Sequence, residues 1–536
     1  MFSNALLMTD GYKLDHRRQY PEGTEYVYSN WTPRSNKFMP EAKDGAVVFG
    51  IQYFIKKFLI EKFNKEFFEL DEDEAVNTYT RRVNALLGPN KIGFDHVRAL
   101  HRLGYLPIRL KALPEGSVCP IRVPMITVVN TKPEFFWITN FLETIMSCEL
   151  WLPMTSATKA RAYRKRLNEH AQKTGFADQG GLGFLCHDFS MRGMCGLEAS
   201  IISGLGHLTS FTGSETIPAI GAAEEYYNID AEKELICGTV PASEHSVMCA
   251  GGKIDEFGTF KRFITELYPD GFVSIVSDTW DLWKVVTDYL PRLKDEIMSR
   301  NGRVVIRPDS GDPVEILCGI PDKDIITVGG VHYHIPEIAR GIFDELYTVE
   351  DYIKTIKQNP EKFAKDIVSE AEIKGVYEIL WDTFGGSVND KGFKVLDSHI
   401  GALYGDSITL DRQNDIYNRL EEKGFAATNL VLGIGSFSYT YATRDCLGFA
   451  MKATWCQVNG EPREIFKDPV TDSGIKKSLK GLIQVLQNED GVYYAKDCVS
   501  PEEEATGCLE TIFEDGKLVK ETSLTEIRNR LWKDGI

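Results

Sequence analysis

The chain has 536 residues, of which 43% are hydrophobic and 26% charged, a composition typical of a soluble globular protein with more than one domain. Its formal net charge of −17 argues against a nucleic-acid-binding protein, but a locally positive cleft could still bind a small anionic substrate. The eleven cysteines form no CxxC pair, and no apolar run is long enough for a secretion signal or a membrane span. We therefore expect a cytoplasmic enzyme with reduced thiols that binds neither nucleic acid nor membrane.

Residues 1–150 mix predicted strands and helices. The alternating segment Glu25–Trp31 predicts a strand, and Ala46–Phe63 has the apolar spacing of a helix. The stretch Tyr105–Asn130 contains several prolines and predicts edge strands and turns. Two helices are expected next, a buried one over Phe135–Trp151 and an exposed basic one over Thr155–Lys173 that begins at a Thr155 or Ser156 cap.

The middle of the chain has a different pattern from about residue 180. Short apolar runs recur there, and most are separated by a length that fits one helix. These runs end at or near His187, Phe211, Val240, Ser277, Arg307, Gly405 and Gly433. The repetition predicts a βα-barrel, in which the carboxyl ends of the strands carry the chemistry. A long, strongly helical interval interrupts it, so we expect a helical insertion near residues 314–395.

The last part of the chain returns to a β-rich pattern. Asp490-Gly491 and Asp515-Gly516 each separate two apolar runs and predict β-hairpins. A capping-box pattern then predicts a final helix that starts at Ser523. Because both ends of the chain share this texture, the sequence predicts an α/β protein: an irregular βα-barrel (151–444) inserted in a β-rich α+β domain built from residues 1–150 and 445–536.

Two of the predicted strand ends carry residues suited to phosphate or sugar chemistry. Arg307 offers a planar fork of donors, and Asp309 could hold a sugar hydroxyl or a Mg²⁺-bound water. Phe189 could stack on a flat ring, and Arg192 could bind an oxyanion. A surface ion pair at Arg307 and a core position for Phe189 are the alternatives. The residues together predict a barrel enzyme that acts on a phosphorylated sugar.

Three further places have a chemical and a structural interpretation. His245 could be a general base or a phosphate acceptor, or a structural histidine. Asp278 could bind a metal or orient His245, or it could cap the next helix. The turn at Gly435 and Ser436 could aim backbone N–H groups at a phosphate, with Arg444 adding charge, or it could be a plain turn.

Eight ordered motifs resemble the nicotinamide phosphoribosyltransferase family. They span nearly the whole chain: TDGYKLDHRRQYP (Thr9–Pro21), HDFSMRG (His187–Gly193), FTGSET (Phe211–Thr216), VPASEHS (Val240–Ser246), SIVSDTWD (Ser274–Asp281), IRPDSGDP (Ile306–Pro313), YGD (Tyr404–Asp406) and FKDPVTD (Phe466–Asp472). The resemblance implies a type II phosphoribosyltransferase that works as a homodimer with shared active sites. It implies transfer of phosphoribosyl from phosphoribosyl pyrophosphate to nicotinamide, which yields nicotinamide mononucleotide and pyrophosphate for NAD salvage.

The same resemblance implies a role for each matching residue. The pyridine ring would lie between Phe189 and Tyr12 of the partner subunit, with Arg307 at the carboxamide oxygen and Glu215 at its NH₂ group. His245 would be phosphorylated by ATP, a coupled co-substrate, and Mg²⁺ would act mainly through pyrophosphate. The implied catalytic residues are His245, Asp278 and Asp309. The implied ribose and phosphate ligands are Arg34, Arg192, Ser274, Asp309, Gly405, Asp406, Gly435, Ser436, Arg444 and Lys467.

The chain departs from the family pattern at three places. Glu215 stands where the family has aspartate, Ser190 where it has glycine, and Ser436 and Phe437 replace glycines of the phosphate loop. A carboxylate at position 215 still favours nicotinamide, since it repels the carboxylate of nicotinate. Two alternatives stay open: a nicotinate phosphoribosyltransferase, and a non-catalytic dimer that binds nicotinamide nucleotides and regulates a partner.

Overall fold

The computed structural model describes residues 4–176, 181–335, 349–466 and 479–533. Its strands in chain order are β1 (Thr24–Thr32), β2 (Ala46–Val47), β3 (Ile108–Ala112), β4 (Val118–Cys119), β5 (Ile126–Asn130), β6 (Cys186–Phe189), β7 (Gly213–Ser214), β8 (Val273–Val276), β9 (Val304–Arg307), β10 (Ile325–Val328), β11 (Val331–His334), β12 (Ile367–Val368), β13 (Gly386–Val388), β14 (Lys394–Leu396), β15 (Ile400–Tyr404), β16 (Leu430–Gly435), β17 (Ala450–Val458), β18 (Glu461–Glu464), β19 (Leu482–Gln487), β20 (Tyr493–Val499), β21 (Glu510–Glu514) and β22 (Lys517–Leu518).

The longer α-helices are Glu72–Leu87, Asp95–Leu103, Glu143–Thr174, Leu197–His207, Pro218–Tyr227, His245–Gly251, Glu256–Arg262, Val349–Gln358, Val376–Phe384, Leu410–Glu422 and Leu524–Leu531. Shorter α-helices are His16–Gln19, Ile51–Phe54, Ile138–Phe141, Leu282–Lys284, Leu290–Arg292, Lys294–Met298, Pro313–Cys318, Glu370–Lys374, Ser436–Thr440 and Pro501–Glu504. None of the helices in the described parts of the chain is long and apolar enough to cross a membrane.

Seven strands from both ends of the chain form one antiparallel sheet. Their order is β18-β17-β1-β5-β3-β21-β22, and β1, the predicted alternating strand, pairs with β5 and β17. The predicted β-rich domain built from both chain ends is therefore confirmed. The prediction of edge strands within Tyr105–Asn130 holds for β4, which pairs with β2 in a two-stranded sheet. It is wrong for β3 and β5, which are interior strands of the seven-stranded sheet, and the prolines lie outside all three strands.

One helix of 32 residues, Glu143–Thr174, joins this domain to the barrel. The prediction of two separate helices is wrong, since the helix continues through Pro153 and the hydroxyl of Thr155 donates to the Trp151 carbonyl at 2.6 Å instead of capping a new start. The expected exposure is also wrong, because residues 152–160 are buried. Packing explains both differences: the first half of the helix contributes to the core of the terminal sheet, and Tyr163 and Leu167 contribute to the core of the barrel.

Six parallel strands form the barrel sheet, in the order β7-β6-β16-β15-β9-β8. The extended segment 238–243 lies between the two outer strands, because Gly238 bridges to Gly213 on β7 and Ala242 bridges to Ser274 on β8. The sheet thus curls round on itself, and the predicted irregular βα-barrel is confirmed. Its interior is filled by apolar side chains, so all the chemistry must take place at its rim.

The expected helical insertion near 314–395 is only partly helical. β10, β11 and β12 form a small antiparallel sheet with its own apolar cluster, and residues 336–348 lie outside the described residues. The helix Val376–Phe384 packs in the barrel core, where the Tyr377 hydroxyl donates to the carbonyls of Ala402 and Asn429 at 3.3 and 3.1 Å. Helical periodicity alone did not distinguish this barrel helix from an added one.

The predicted C-terminal elements are present. Asp490-Gly491 lies in the turn between the paired strands β19 and β20, and Asp515-Gly516 in the turn between β21 and β22. The last helix, Leu524–Leu531, begins with the capping box of Ser523 and Glu526. These elements complete the domain that surrounds the barrel.

Candidate active site

The carboxyl ends of the parallel strands meet at one rim of the barrel. The residues that follow them in the chain include Phe189 after β6, Glu215 after β7, His245 after the segment 238–243, Asp278 after β8, Arg307 and Asp309 at β9, Gly405 and Asp406 after β15, and Gly435 and Ser436 at β16. Because parallel strands point the same way, these residues share one face of the barrel. The barrel therefore brings most of the predicted site residues to one rim.

Asp278 connects two of the predicted catalytic residues. Its side chain is only 7% exposed, and one carboxylate oxygen lies 3.3 Å from Nε2 of His245, a side chain that is 45% exposed. The other oxygen accepts the backbone N–H of Asp309 at 2.9 Å. The helix-capping interpretation of Asp278 does not hold, since Asp281 caps the next helix. Asp278 therefore orients His245 and fixes the end of β9 at the same time.

Arg307 is half-buried and has an unused donor. One guanidinium nitrogen, Nη2, donates to the Ser243 carbonyl at 2.6 Å, and the buried Nε has no partner among the described residues. Burial lowers the pKa of Arg307, whereas the nearby carboxylates of Asp309 and Glu215 raise it. A guanidinium holds its charge in such a place, so Arg307 is a cation at the rim, fixed on one side by the Ser243 carbonyl.

Phe189 lies against two glycines of neighbouring strand ends. A Cβ atom added to Gly405 would lie 2.9 Å from the Phe189 ring, and one added to Gly433 would overlap the same ring. The Phe189 side chain is only half-buried, so the interpretation as a core residue does not hold. The glycines leave room for the ring at the rim, where a flat ligand could stack on it.

Asp188 ties the loop that carries Glu215 to the end of β6. It is fully buried, and its carboxylate accepts the Ser190 N–H at 2.9 Å and the Thr216 hydroxyl at 2.7 Å. The Glu215 side chain is exposed, and the Thr239 hydroxyl donates to it. Asp188 therefore has a structural role, and Glu215 presents its carboxylate outward.

The turn after β16 has open space beside it. A Cβ atom added to Gly435 would meet nothing within 4 Å. Ser436 is the first residue of a short helix, and its hydroxyl packs on Gly193. Arg192 is exposed on the neighbouring turn Met191–Gly193. These residues leave space for an anion beside backbone N–H groups and an arginine.

A group of cations lies around Arg444, and two of its members, Lys13 and Lys452, were not among the predicted site residues. Partial burial and the positive charge of Arg444 lower the pKa of Arg34. Partial burial also lowers the pKa of Lys452, with Glu143 opposing the effect and Arg34, Lys13 and Arg444 adding to it. Lys13 pairs with Glu143. Lys452 had no motif to reveal it, whereas Lys13 lies within the first quoted motif. The group suits a ligand with several negative charges.

Four predicted positions remain. Tyr12 is 63% exposed and lines a cavity of about 300 Å³ with Arg444, so its ring is available to another molecule. Asp406 is exposed and accepts the Ser407 hydroxyl at 3.0 Å. Ser274 is buried in β8, and its hydroxyl has no partner within the described ranges. Lys467 lies outside the described residues.

The described residues contain no group of three or more His, Cys, Asp or Glu side chains that could hold a metal ion. All eleven cysteines are unpaired. A Mg²⁺ ion bound here would take most of its ligands from a phosphorylated substrate and from water, which is how Mg²⁺ usually binds at such sites. Single carboxylates such as Asp309 and Asp406 are the protein ligands that fit this arrangement.

Comparisons with known proteins agree with the geometry. Residues 184–500 match the model of the nicotinate phosphoribosyltransferase (NAPRTase) family, and residues 4–110 match the N-terminal domain model of nicotinamide phosphoribosyltransferase. A nicotinamide phosphoribosyltransferase of Acinetobacter baylyi is 47% identical over 98% of this chain and 97% of its own length. The enzyme of the same name from Mycoplasma pneumoniae is 31% identical over 89% of this chain and 94% of its own length.

A solved structure shares the architecture. The crystal structure of human nicotinic acid phosphoribosyltransferase covers 98% of this chain and 92% of its own, with a TM-score of 0.50 and 16% identity. At this identity the likeness shows the fold alone.

Proposed function

The chain belongs to the nicotinate phosphoribosyltransferase family, and from this premise we propose that it transfers the 5-phosphoribosyl group of phosphoribosyl pyrophosphate to nicotinamide. It is a phosphoribosyltransferase, which is a kind of pentosyltransferase. The proposed products are nicotinamide mononucleotide and pyrophosphate, in NAD salvage. The observation that carries the choice of substrate is the placement of Phe189, Glu215 and Arg307 around one rim, with a carboxylate and a guanidinium beside an aromatic ring.

These three side chains match the chemistry of a neutral pyridine carboxamide. The pyridine ring would stack on Phe189, the amide oxygen would accept from Arg307, and the amide NH₂ would donate to Glu215. Nicotinate has a carboxylate in place of the carboxamide, and this carboxylate and that of Glu215 would repel each other in one pocket. The exposed Glu215 therefore favours nicotinamide over nicotinate.

The rest of the rim suits the phosphorylated sugar. Asp309 and Asp406 would accept hydrogen bonds from ribose hydroxyls, and Arg192 with the backbone N–H groups of Gly435 and Ser436 would bind the 5-phosphate. The diphosphate would lie among the cations around Arg444. Those cations are Lys13, Arg34, Arg444 and Lys452, joined in the proposal by Lys467.

The reaction breaks the bond between ribose C1 and the diphosphate oxygen, and the electron pair leaves with pyrophosphate. The pyridine nitrogen then forms the new bond to C1, which has oxocarbenium character. Phe189 and Arg307 would hold the nitrogen in line with C1. This orientation lowers the barrier because less entropy is lost in reaching the transition state. The cations would stabilise the charge that develops on the leaving group, and bound Mg²⁺ would supply further positive charge there.

We further propose that ATP stimulates the reaction through phosphorylation of His245. Nε2 of His245 lies 3.3 Å from the Asp278 carboxylate. In the proposal Nε2–H donates to this carboxylate, so the lone pair of the other ring nitrogen, Nδ1, would be left to attack the γ-phosphorus of ATP. The N–P bond forms, the bond to ADP breaks, and Asp278 stabilises the positive charge on the ring. The phosphohistidine would then be hydrolysed, which couples ATP consumption to product formation.

We propose a cytoplasmic homodimer in which each active site takes Tyr12 from the partner subunit. In support, the Tyr12 ring is exposed within its own chain, and eleven unpaired cysteines fit a reducing compartment. A sandwich of the pyridine ring between two aromatic rings needs such a second ring opposite Phe189.

Side-by-side kinetics with the two pyridines test the proposal. We expect the kcat/KM for nicotinamide to exceed that for nicotinate by about a hundredfold, and the Glu215→Gln variant to reduce this ratio by roughly tenfold or more, since one carboxylate repulsion is removed. The Glu224→Gln variant, on an exposed part of the next helix, is the matched control. Faster turnover of nicotinate by the natural protein would replace the substrate and keep the fold.

A further inference from the structure

Two long side chains of the core helix Glu143–Thr174 form hydrogen bonds with the turn that follows β16. The ammonium of Lys159 donates to the Ser438 carbonyl and to the Tyr441 carbonyl at 3.4 Å. The Tyr163 hydroxyl lies 2.8 Å from the Ser438 hydroxyl and donates to the Ile408 carbonyl at 2.9 Å. These contacts join the helix to the segment between Ser436 and Arg444, which we call the phosphate loop.

The two sides of the phosphate loop have different neighbours. Successive residues of an α-helix are about 100° apart, so Ser436 and Ser438 lie on nearly opposite faces of the helix Ser436–Thr440. Ser436 packs on Gly193, next to Arg192. Ser438 meets Tyr163. The face that would bind phosphate is therefore turned away from the face that the core helix holds.

Apolar packing anchors this loop at one position, Tyr439, which belongs to the barrel core. Phe437 and Tyr441 are 48% and 75% exposed, and they line an open cavity of about 620 Å³ together with Lys159 and Ser438. Only Tyr439 is buried, where its hydroxyl bonds to His207 at 2.7 Å. Apart from Tyr439, the loop is held by polar contacts.

Lys159 is a buried cation whose ammonium is directed at the carbonyls of the loop. Its side chain is 9% exposed, and burial lowers the pKa of its ammonium. In the described parts of the chain no carboxylate pairs with it, so the two loop carbonyls are the main partners of a buried charge. Burying an ammonium costs free energy unless its hydrogen bonds are satisfied. Moving the loop would break the hydrogen bonds of Lys159, so this cost opposes displacement of the loop.

We infer that Lys159 is a positioning residue for phosphoribosyl pyrophosphate. It fixes the carbonyls of Ser438 and Tyr441, and thereby the backbone on either side: Gly435 and Ser436 before them, and Arg444 after them. The role of these groups in phosphate binding rests on the proposed function. The contact of Lys159 with the loop itself does not, and it is testable without turnover.

The test compares Lys159→Met with Lys165→Met, a control on the same helix whose ammonium pairs with Asp44 and not with the loop. Both variants are digested with chymotrypsin, and cleavage after Phe437 and Tyr441 is followed by mass spectrometry. We expect Lys159→Met to be cleaved about fivefold faster or more at these two sites, because local opening becomes easier, while Lys165→Met matches the natural protein. Equal cleavage in all three proteins would overturn the inference whatever the substrate is.

Kinetics then separate positioning from general damage. In Lys159→Met we expect the KM for phosphoribosyl pyrophosphate to rise about tenfold or more, with the KM for nicotinamide changed less than about threefold, since one charged hydrogen bond beneath a single subsite is lost. Lys159→Arg should restore part of the effect, and Tyr163→Phe should show a smaller change of the same kind. Equal rises in both KM values, or none, would contradict the role of Lys159. Absence of any turnover by the natural protein would count against the proposed function, and the cleavage result would still decide whether Lys159 holds the loop.

Discussion

Among single residues, Arg307 and Asp278 contribute most to the account of the active site. Each uses one polar group to fix a neighbouring strand end and leaves another side-chain function directed toward a ligand or toward His245. The sequence could predict both, because an arginine or aspartate directly after a strand in a repeated βα pattern reaches the barrel rim. Lys159 and Lys452 could not be predicted, since neither follows a strand of the barrel. Only the packed structure brings Lys159 to the phosphate loop and Lys452 to the other cations.

Replacing Arg307 with alanine tests the carboxamide contact. A hydrogen bond to a charged group contributes about 1.5–3 kcal/mol, so we expect the KM for nicotinamide to rise by roughly ten- to a hundredfold. Arg292→Ala, which removes an exposed arginine paired with Asp288 one turn away, is the control. Steady-state kinetics at saturating phosphoribosyl pyrophosphate give the values, and an unchanged KM in Arg307→Ala would remove the residue from the substrate site.

Replacing His245 with alanine tests the coupling to ATP. The variant should lose ATP stimulation and retain basal transfer, because the phosphate acceptor is removed while the substrate ligands stay. Incubation with γ-labelled ATP should label the natural protein and the control His332→Ala, but not His245→Ala. Label on the alanine variant, or full ATP stimulation of it, would assign His245 another role.

At the scale of elements, long-range packing decided what local patterns could not. The apolar and basic stretches around Pro153 suggested two helices, but a single helix forms because its two halves belong to two adjoining cores. β3 and β5 looked like edge strands because of the nearby prolines, yet the prolines lie outside the strands. In contrast, the hairpins at Asp490-Gly491 and Asp515-Gly516 were predictable, since their turns are set by neighbouring residues.

The packing of two strand ends on Phe189 leads to a prediction for Gly433. In Gly433→Ala the new methyl group would overlap the Phe189 ring and displace it from the rim. We expect nicotinamide binding to weaken about tenfold or more as the stacking surface is lost. Gly221→Ala, on a helix where a Cβ meets nothing within 4 Å, is the control and should bind normally. Wild-type affinity in Gly433→Ala, measured by calorimetry, would show that the ring position does not matter.

The start of the helix Ile51–Phe54 depends on a buried carboxylate. Glu115 accepts the N–H groups of Gly50 and Gln52 and the Tyr227 hydroxyl, and burial raises the pKa of Glu115 to about 7 despite these contacts. A pKa raised above its unfolded value of 4.5 gives a stabilising contribution that is present below pH 4.5 and is lost as pH rises through about 7.

The corresponding measurement is urea unfolding at several values between pH 5 and pH 8. The free energy of unfolding of the natural protein should fall more steeply with rising pH than that of Glu115→Gln, which cannot titrate. Each unit of pKa shift corresponds to about 1.4 kcal/mol. The control Glu514→Gln, in an exposed pair with Arg109, should follow the natural protein. Parallel pH profiles for Glu115→Gln and the natural protein would contradict the raised pKa.

At the scale of the whole molecule, the sequence predicted that both chain ends build one domain around an inserted barrel, and the seven-stranded sheet confirms it. That prediction rested on the β-rich sequence pattern that both ends of the chain share. The small sheet within residues 325–368 was not predictable, because its strands are short and the surrounding helical periodicity dominates.

The proposed shared sites predict complementation between two inactive variants. Tyr12→Ala and Phe189→Ala homodimers should each have low activity, because every site lacks one ring. A random mixture should regain about a quarter of the natural activity, since half of the dimers are hybrids with one intact site. The assay is turnover before and after subunit exchange, with each variant incubated alone as the control. No recovery, despite exchange shown by sedimentation of tagged subunits, would place both rings within one chain.

The most direct test of the proposed function is the formation of nicotinamide mononucleotide from nicotinamide and phosphoribosyl pyrophosphate with Mg²⁺, followed by NMR together with pyrophosphate release. We expect equal amounts of the two products and a faster rate when ATP is added. Product from nicotinate alone, or no product from either pyridine, would contradict it.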